Sequence, residues 1–343
     1  MVIDNIKPDI INQIKVVIEQ ARKKAIIAIN HELINSYWQI GKLISESNDI
    51  NRINGISDRT FMISLSKALK QELGKGFSRS NLISMKKLYE FYPDGQTLSD
   101  HLSWSHYCEL IGVSDNDARS FYEKECINSR WSVRELQRQI NSALFERLLL
   151  SNGKLNKEKV LELAREGLII DKPEDIIRDP YVLEFLTIPE NKPLKEKPLE
   201  KMLFERLEDF LLELGRGFSF VGTQQRVTVG NVHHKVDMVF YNKILKAYVL
   251  IDLKIGKLEF DHVGQMNGYI NYYNTEVNEP DDNPPIGIIL CANKDEVIAE
   301  YALGGLENQI FASKYIYYIP DKEQLIKQVE YVLKQNGKRK IGD

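Results

Sequence analysis

The stretch "VDMVFYNKILKAYVLIDLK", residues 236–254, reads as two extended apolar runs joined by a short polar turn, yet it carries two aspartates and a lysine among valine, leucine and isoleucine. Side chains of a strand alternate between faces, so Asp252 and Lys254 emerge together and Leu253 points the other way. A tight turn over Asn242–Lys246 would bring Asp237 from the preceding strand beside Asp252. An unpaired carboxylate among apolar strands is costly, and two adjacent ones repel unless a proton or cation stands between them. Magnesium would relieve that conflict, because it favours hard oxygen ligands and is usually held by only one or two carboxylates. A salt bridge from Lys254 to either aspartate on a solvated sheet face is the competing reading, and spacing alone does not separate the two.

Working outward, FSFVGTQQRVTV (218–229) and PPIGIILCA (284–292) have the aliphatic and aromatic content of strands. They interleave with helices expected at 199–214 and near 261–276, 295–303 and 321–335. That order predicts an α/β (α+β) domain, a mixed sheet covered by helices, over 199–343. On the helix after the hairpin, Val263, Met266, Ile270 and Tyr273 form the core stripe, while Gln265 and Tyr269, four apart, share a face that can look toward the hairpin charges. Glu200 opens the helix before the sheet, where a carboxylate can orient a metal-bound water; acidic residues also favour a first helical turn for its dipole alone.

Residues 1–150 read as an all-helical domain, with 151–198 as a connector rich in turn residues. Ile14, Ile18, Ala21, Ala25 and Ala28 recur at alternating four- and three-residue steps and lie on one face of a long first helix. That stripe is a candidate for self-association into a homo-oligomer. A helix over 59–72 should stop at Gly74 and Gly76, and Ser78 should cap another through 91. Ser132 and Glu135 have capping-box spacing for a helix continuing through Leu136, Ile140, Leu144 and Leu148. Residues 1–150 are expected to be a DNA-binding, winged-helix-like domain, with a helix–glycine turn–helix around Gly74. Lys67, Lys70, Lys75, Arg79, Lys86 and Lys87 make a local positive patch there, with Arg79, Asn81 and Lys87 placed to meet phosphate or bases. Arg130, Arg134 and Arg138, four apart, form a second basic ridge. A solvated helical face explains either cluster equally well.

The chain has 343 residues, is 43% hydrophobic and carries a net charge of −3, so it can bury a sizeable core and its global charge neither demands nor excludes nucleic acid. Cys108, Cys126 and Cys291 lie far apart, which argues against a disulfide framework or a zinc site. No run approaches bilayer length and the N-terminus lacks the pattern of a secretion signal, so a cytoplasmic protein with no membrane partner is expected.

Together the hairpin and its flanks resemble the PD-(D/E)xK nuclease superfamily, and the whole chain resembles bacterial two-domain proteins in which such a nuclease follows a helical DUF1016-type domain. The cues are LSKALKQELGKGFSRSNL, LSWSHYCELIGV and WSVRELQRQI in the first domain, then RDPYVLEFL, FLLELGRGFSFVG, VDMVFYN, IDLK, GQMNGYINYYN and PPIGIILC. The resemblance implies a restriction-endonuclease-like fold. It assigns Asp237 to the family aspartate, Asp252 and Lys254 to the (D/E)xK pair, Gln265 and Tyr269 to a QxxxY element, and Glu200 to the helical glutamate. Val236 stands in place of the motif's proline, and Asp252 stands where relatives of this kind usually carry glutamate. The implied chemistry is phosphodiester hydrolysis with Mg²⁺, or Mn²⁺ in its place, held by Asp237, Asp252 and the Leu253 carbonyl. Lys254 would steady the nucleophile, and His233, His234 and His262 are further candidates for a general base.

The expected function is thus a Mg²⁺-dependent DNA endonuclease acting in defence against foreign DNA or in repair and recombination. A structure-specific nuclease resembling junction resolvases and a non-catalytic nucleic-acid-binding protein are the alternatives.

Overall fold

A computed structural model describes residues 8–53, 56–151, 157–188, 195–293, 296–303 and 309–339. The chain divides into two compact units, one comprising residues 1–119 and 126–136, the other residues 120–125 and 137–343.

The first unit contains α1 (Pro8–Ile53), α2 (Asp58–Leu73), α3 (Arg79–Phe91), α4 (Trp104–Leu110) and most of α5 (Asn116–Ser129). Ser57 and Ser78 cap α2 and α3 by accepting the N–H of Thr60 and Asn81, each at 3.2 Å. Gly74 ends α2 at φ 93°, a conformation that disfavours a side chain. Ile44, Met62, Leu82 and Met85 form the core between these helices. Gly41 lets α1 and α3 approach closely, since a Cβ there would fall 2.0 Å from the Met85 carbonyl oxygen. No strand occurs among the described residues of 8–151, so the domain expected to be winged-helix-like shows no wing among them.

The capping box at Ser132 and Glu135 opens α6 (Val133–Asn141), with Glu135 accepting the Ser132 N–H at 2.5 Å. The single helix expected through Leu148 is instead interrupted. Ala143 takes φ 52°, and α7 (Leu144–Ser151) restarts after it. The break frees the Ser142 carbonyl to accept from Arg147 Nε at 2.9 Å.

The second unit continues with α8 (Lys157–Glu166), β1 (Tyr181–Val182), α9 (Glu196–Glu205), α10 (Leu207–Leu214), β2 (Phe218–Val229), β3 (Val232–Asn242) and β4 (Ala247–Lys257). It ends with α11 (Phe260–Glu276), β5 (Ile286–Asn293), α12 (Glu296–Leu303), β6 (Gln309–Ile316) and α13 (Lys322–Arg339). The helix expected over 199–214 is two helices, broken at Arg206. The six strands run in the order β1-β6-β5-β4-β3-β2, antiparallel at β2–β3–β4 and parallel beyond, which is the mixed sheet expected.

Of the residues expected to be a connector, Tyr181 and Val182 pair with β6 and are fully buried. Of the proline-lysine stretch expected at 189–198, residues 189–194 lie outside the described residues, while Glu196 already opens α9. Glu213 on α10 fixes β1 by accepting the Val182 N–H at 2.9 Å. The same carboxylate meets Arg147 at 2.6 Å, Arg138 at 3.1 Å and Arg178 at 3.6 Å. A carboxylate so buried is tolerated only with such pairing. Burial opposes its charge, but the arginines prevail and hold Glu213 down at about 2.

Candidate active site

The charged hairpin folds as its alternation predicts. The β3–β4 ladder pairs Met238 with Ile251, and one step further along that register Asp237 comes opposite Asp252. Leu250, one pleat before Asp252, belongs to a core with Val239 and with Val263, Met266 and Ile270 of α11. Asp252 is therefore carried into a nearly closed environment, with 2% of its surface exposed.

Three of the four aspartate oxygens have a distinct neighbour. Asp237 Oδ2 accepts the Leu253 N–H at 2.8 Å, where the strand ladder would otherwise continue. Asp237 Oδ1 accepts from Gln224 Nε2 at 3.1 Å, and that nitrogen also lies 3.0 Å from Glu200 Oε2. Lys254 Nζ pairs with Asp252 Oδ2 at 2.7 Å, and this buried oxygen has no hydrogen bond beyond that ion pair. The expected ion pair between Lys254 and Asp252 is present, buried rather than on a solvated sheet face.

The electrostatics follow from burial. Burial, then the neighbouring Asp252 charge, pushes Asp237 up to about 6 against the pull of the Leu253 N–H and Lys254. Asp252 is also raised, chiefly by burial, with Lys254 opposing. Burial works against the Lys254 charge too, but Asp252, Glu196 and Asp237 outweigh it and raise its pKa. Lys254 is thus a fixed cation beside two carboxyl groups of which one readily holds a proton. Glu200 is raised by burial and by Asp237, partly relieved by the Gln224 donor.

Gln265 and Tyr269 meet as their spacing suggests, the amide nitrogen donating to the phenol oxygen. The Tyr269 hydroxyl in turn donates to the Lys235 carbonyl at 2.9 Å, tying α11 to β3 two residues before Asp237. Tyr269 is 2% exposed and is pushed up to about 12 by burial and the Asp252 charge, so it remains a neutral donor. Leu253 enters through its N–H. His233 contacts Arg226 at 2.7 Å and Thr228 at 3.2 Å, and His262 Nδ1 accepts the Glu259 N–H at 3.1 Å while burial and then the nearby Lys254 charge lower its pKa. His234 packs its ring edgewise to Tyr269.

Gln224 was not singled out by sequence reasoning. It sits opposite Asp237 in the β2–β3 ladder, between the pairs Thr223 with Met238 and Gln225 with Val236. Its backbone takes φ 49°, a left-handed conformation that no periodicity in TQQR announces. Glu196, which acts on both Asp252 and Lys254, was also missed, since a glutamate in a first helical turn looks like ordinary dipole compensation.

Two residues expected to contact DNA are corrected. Asn81 spends its amide internally, accepting from Trp104 Nε1 at 3.0 Å and donating to the Gly76 carbonyl at 2.6 Å. Arg138 is bound to Glu184 at 2.7 Å as well as to Glu213, with 14% of its side chain exposed, so it is an internal strut. Arg79, Lys87, Arg130 and Arg134 are exposed. Lys86, part of the same patch, is paired with Asp58 and Glu90.

Among the described residues no group of three histidine, cysteine or acidic side chains gathers into a metal cluster. The donor set instead fits an ion that keeps most of its waters. Two carboxylates, one with a buried oxygen that has no hydrogen bond beyond its ion pair with Lys254, suit Mg²⁺ or Mn²⁺ and would not suit a thiolate- or imidazole-seeking metal.

A family model described as "YhcG PDDEXK nuclease domain" matches residues 174–330, and one described as "DUF1016 N-terminal domain" matches residues 13–147. The Escherichia coli (strain K12) protein named "Putative nuclease YhcG" is 34% identical over 358 residues, covering 94% of this chain and 94% of its own. Two solved structures are similar over a smaller part. A repair endonuclease from Pyrococcus abyssi has 20% identity over 37% of this chain and 49% of that one, with a TM-score of 0.26. The "EndoMS-dsDNA2 complex" has 16% identity over 39% and 50%, with a TM-score of 0.26. The chain thus matches about half the length of each of these two structures. No helix among the described residues is long and apolar enough to cross a membrane.

Proposed function

The chain belongs to the YhcG family of PDDEXK nucleases, and on that premise we propose that it is a Mg²⁺-dependent DNA endonuclease. The observation that carries the reading is the pair of half-buried Asp237 and buried Asp252, with Lys254 2.7 Å from an Asp252 oxygen that has no other hydrogen bond. Such an arrangement is costly unless a function retains it.

Asp237, Asp252 and the Leu253 carbonyl would hold the ion. When bound, a divalent metal supplies an acidified water and neutralises charge on the phosphate. Lys254 directs its ammonium at the same place, where it steadies a hydroxide nucleophile and the oxygens of the phosphate under attack. Gln224 keeps Glu200 and Asp237 together although both are acidic, and so orients the carboxylates from the side. Tyr269 and Gln265 brace β3 from α11, which fixes Asp237 against displacement. Exposed Arg79, Lys87, Arg130 and Arg134 would contact the DNA backbone, giving affinity without sequence choice.

The cellular role proposed with this activity is removal of foreign DNA or processing of damaged and recombining DNA. The test is the purified protein with plasmid, linear duplex, single-stranded and branched DNA, in Mg²⁺ or chelator, beside Asp237→Ala and Lys254→Ala. Metal-dependent cutting lost in both variants supports the proposal; tight binding without cutting in any metal replaces it with a binding protein. Preference for branched over linear duplex would move the reading to a structure-specific nuclease.

A further inference from the structure

The first half of α1 presents an apolar stripe that its own unit does not cover. Ile10, Ile11, Ile14, Val17, Ile18 and Ile29 keep between 43% and 67% of their surface exposed, and Ala21, Ala25 and Ala28 are exposed between them. At 100° per residue these nine positions fill an arc of about 120° that contains no charged residue. Further along, α1 turns a different side inward: Ile34 and Ile44 are buried, Tyr37 packs beside them and Gly41 abuts Met85. That inward side lies roughly 160° around the helix from the stripe, so packing against α2 and α3 cannot be extended to cover it.

We propose that residues 10–29 of α1 pair in parallel with the same stretch of a second copy of this chain. The stripe follows a heptad, with Ile11, Ile18 and Ala25 at one seam position and Ile14, Ala21 and Ala28 at the other. Its flanking charges select the orientation. Lys15, Arg22 and Lys24 border the seam and all are basic, so an antiparallel pair would set like charges against one another. In a parallel pair, residues five apart meet across the seam: Lys15 faces Ile10, Arg22 faces Val17 and Lys24 faces Ile29. Each cation then lays its methylene stem on an aliphatic neighbour and keeps its charge in water. The exposed apolar area is on the order of 700 Å² per copy, close to the roughly 800 Å² per partner of a standard interface. Alanines at the C-terminal end of the seam let the two backbones draw together.

This inference is independent of the nuclease reading, and its test reads assembly rather than cutting. Sedimentation of the full chain at tens of micromolar should give twice the chain mass. The variant Ile14→Lys with Ile18→Lys should weaken dimerisation by at least about 100-fold while its circular dichroism stays helical. Val16→Lys, on the opposite side of α1, should remain dimeric. Under mild oxidation Ala21→Cys should cross-link within the dimer, and Val16→Cys should not. A monomeric wild type, a dimer that survives the double substitution, or a stripe that binds anionic or neutral lipid vesicles in place of a second copy would each overturn the proposal. Absence of the Ala21→Cys cross-link in a stable dimer would overturn the parallel register.

Discussion

Gln224 Nε2 lies 3.1 Å from Asp237 Oδ1 across the β2–β3 pair, and the same nitrogen reaches Glu200 at 3.0 Å. One neutral donor therefore sits between two carboxylates that would otherwise repel. Removing it as Gln224→Ala should lower cleavage about 10- to 100-fold, the usual cost of losing a partner that orients a ligand. Mn²⁺ binding followed by electron paramagnetic resonance should weaken in parallel. Unchanged metal affinity and rate would make Gln224 a bystander.

The strained carboxyl pair predicts an inverse relation between activity and stability. Asp237 has a folded-state pKa of about 6 against an ordinary value of 3.8, so the folded protein holds more protons than the unfolded chain between those values. Without metal, stability should fall as pH rises through that window, and the penalty should be fully present above about 6. Asp237→Asn should abolish cutting and stabilise the metal-free protein at pH 7 by on the order of 2 kcal/mol. Thermal melts from pH 4 to 8 check this. A wild type that gains stability over that range would contradict it.

Metal binding should show the opposite slope. Protons compete with the ion for Asp237, so Mg²⁺ should add little stability at pH 5 and progressively more as pH passes 6. Calorimetric titration at the two pH values measures the difference, and equal affinity would exclude Asp237 as a ligand.

Lys254 and the aspartates should separate by assay. Lys254→Met should still bind Mn²⁺ yet cut at least about 100-fold more slowly, because the ammonium acts on developing charge. Asp252→Ala should lose both. Loss of metal binding in Lys254→Met would instead give the lysine a structural role toward Asp252.

Arg138 and Arg134, one helical turn apart, should behave as different kinds of residue. Arg138→Glu places a second carboxylate against Glu213 and should destabilise the fold by about 3–5 kcal/mol in urea melts. Glu213 is held at about 2, below the ordinary 4.5, so its stabilising contribution is present above 4.5 and is lost as pH falls toward 2. Arg134→Glu with Arg130→Glu should leave stability unchanged, weaken DNA binding at low salt and flatten its salt dependence. Unaltered affinity would remove that surface from the DNA interface.

The sheet domain and the pair of acidic positions are legible in the linear chain, because the strand alternation along 236–254 leaves one way to face Asp237 toward Asp252 in a hairpin. So are the caps at Ser78 and Ser132, whose geometry is local. Which basic residues are exposed depends on packing between distant elements. Arg134 and Arg138 look equivalent in the sequence, but a glutamate 75 positions away claims only the second. Such packing also brought Gln224 to Asp237, through a left-handed backbone angle inside a strand. Periodicity encodes which face a side chain takes within its own element; which distant group meets it there depends on how elements pack, and a single residue carries no signal of that.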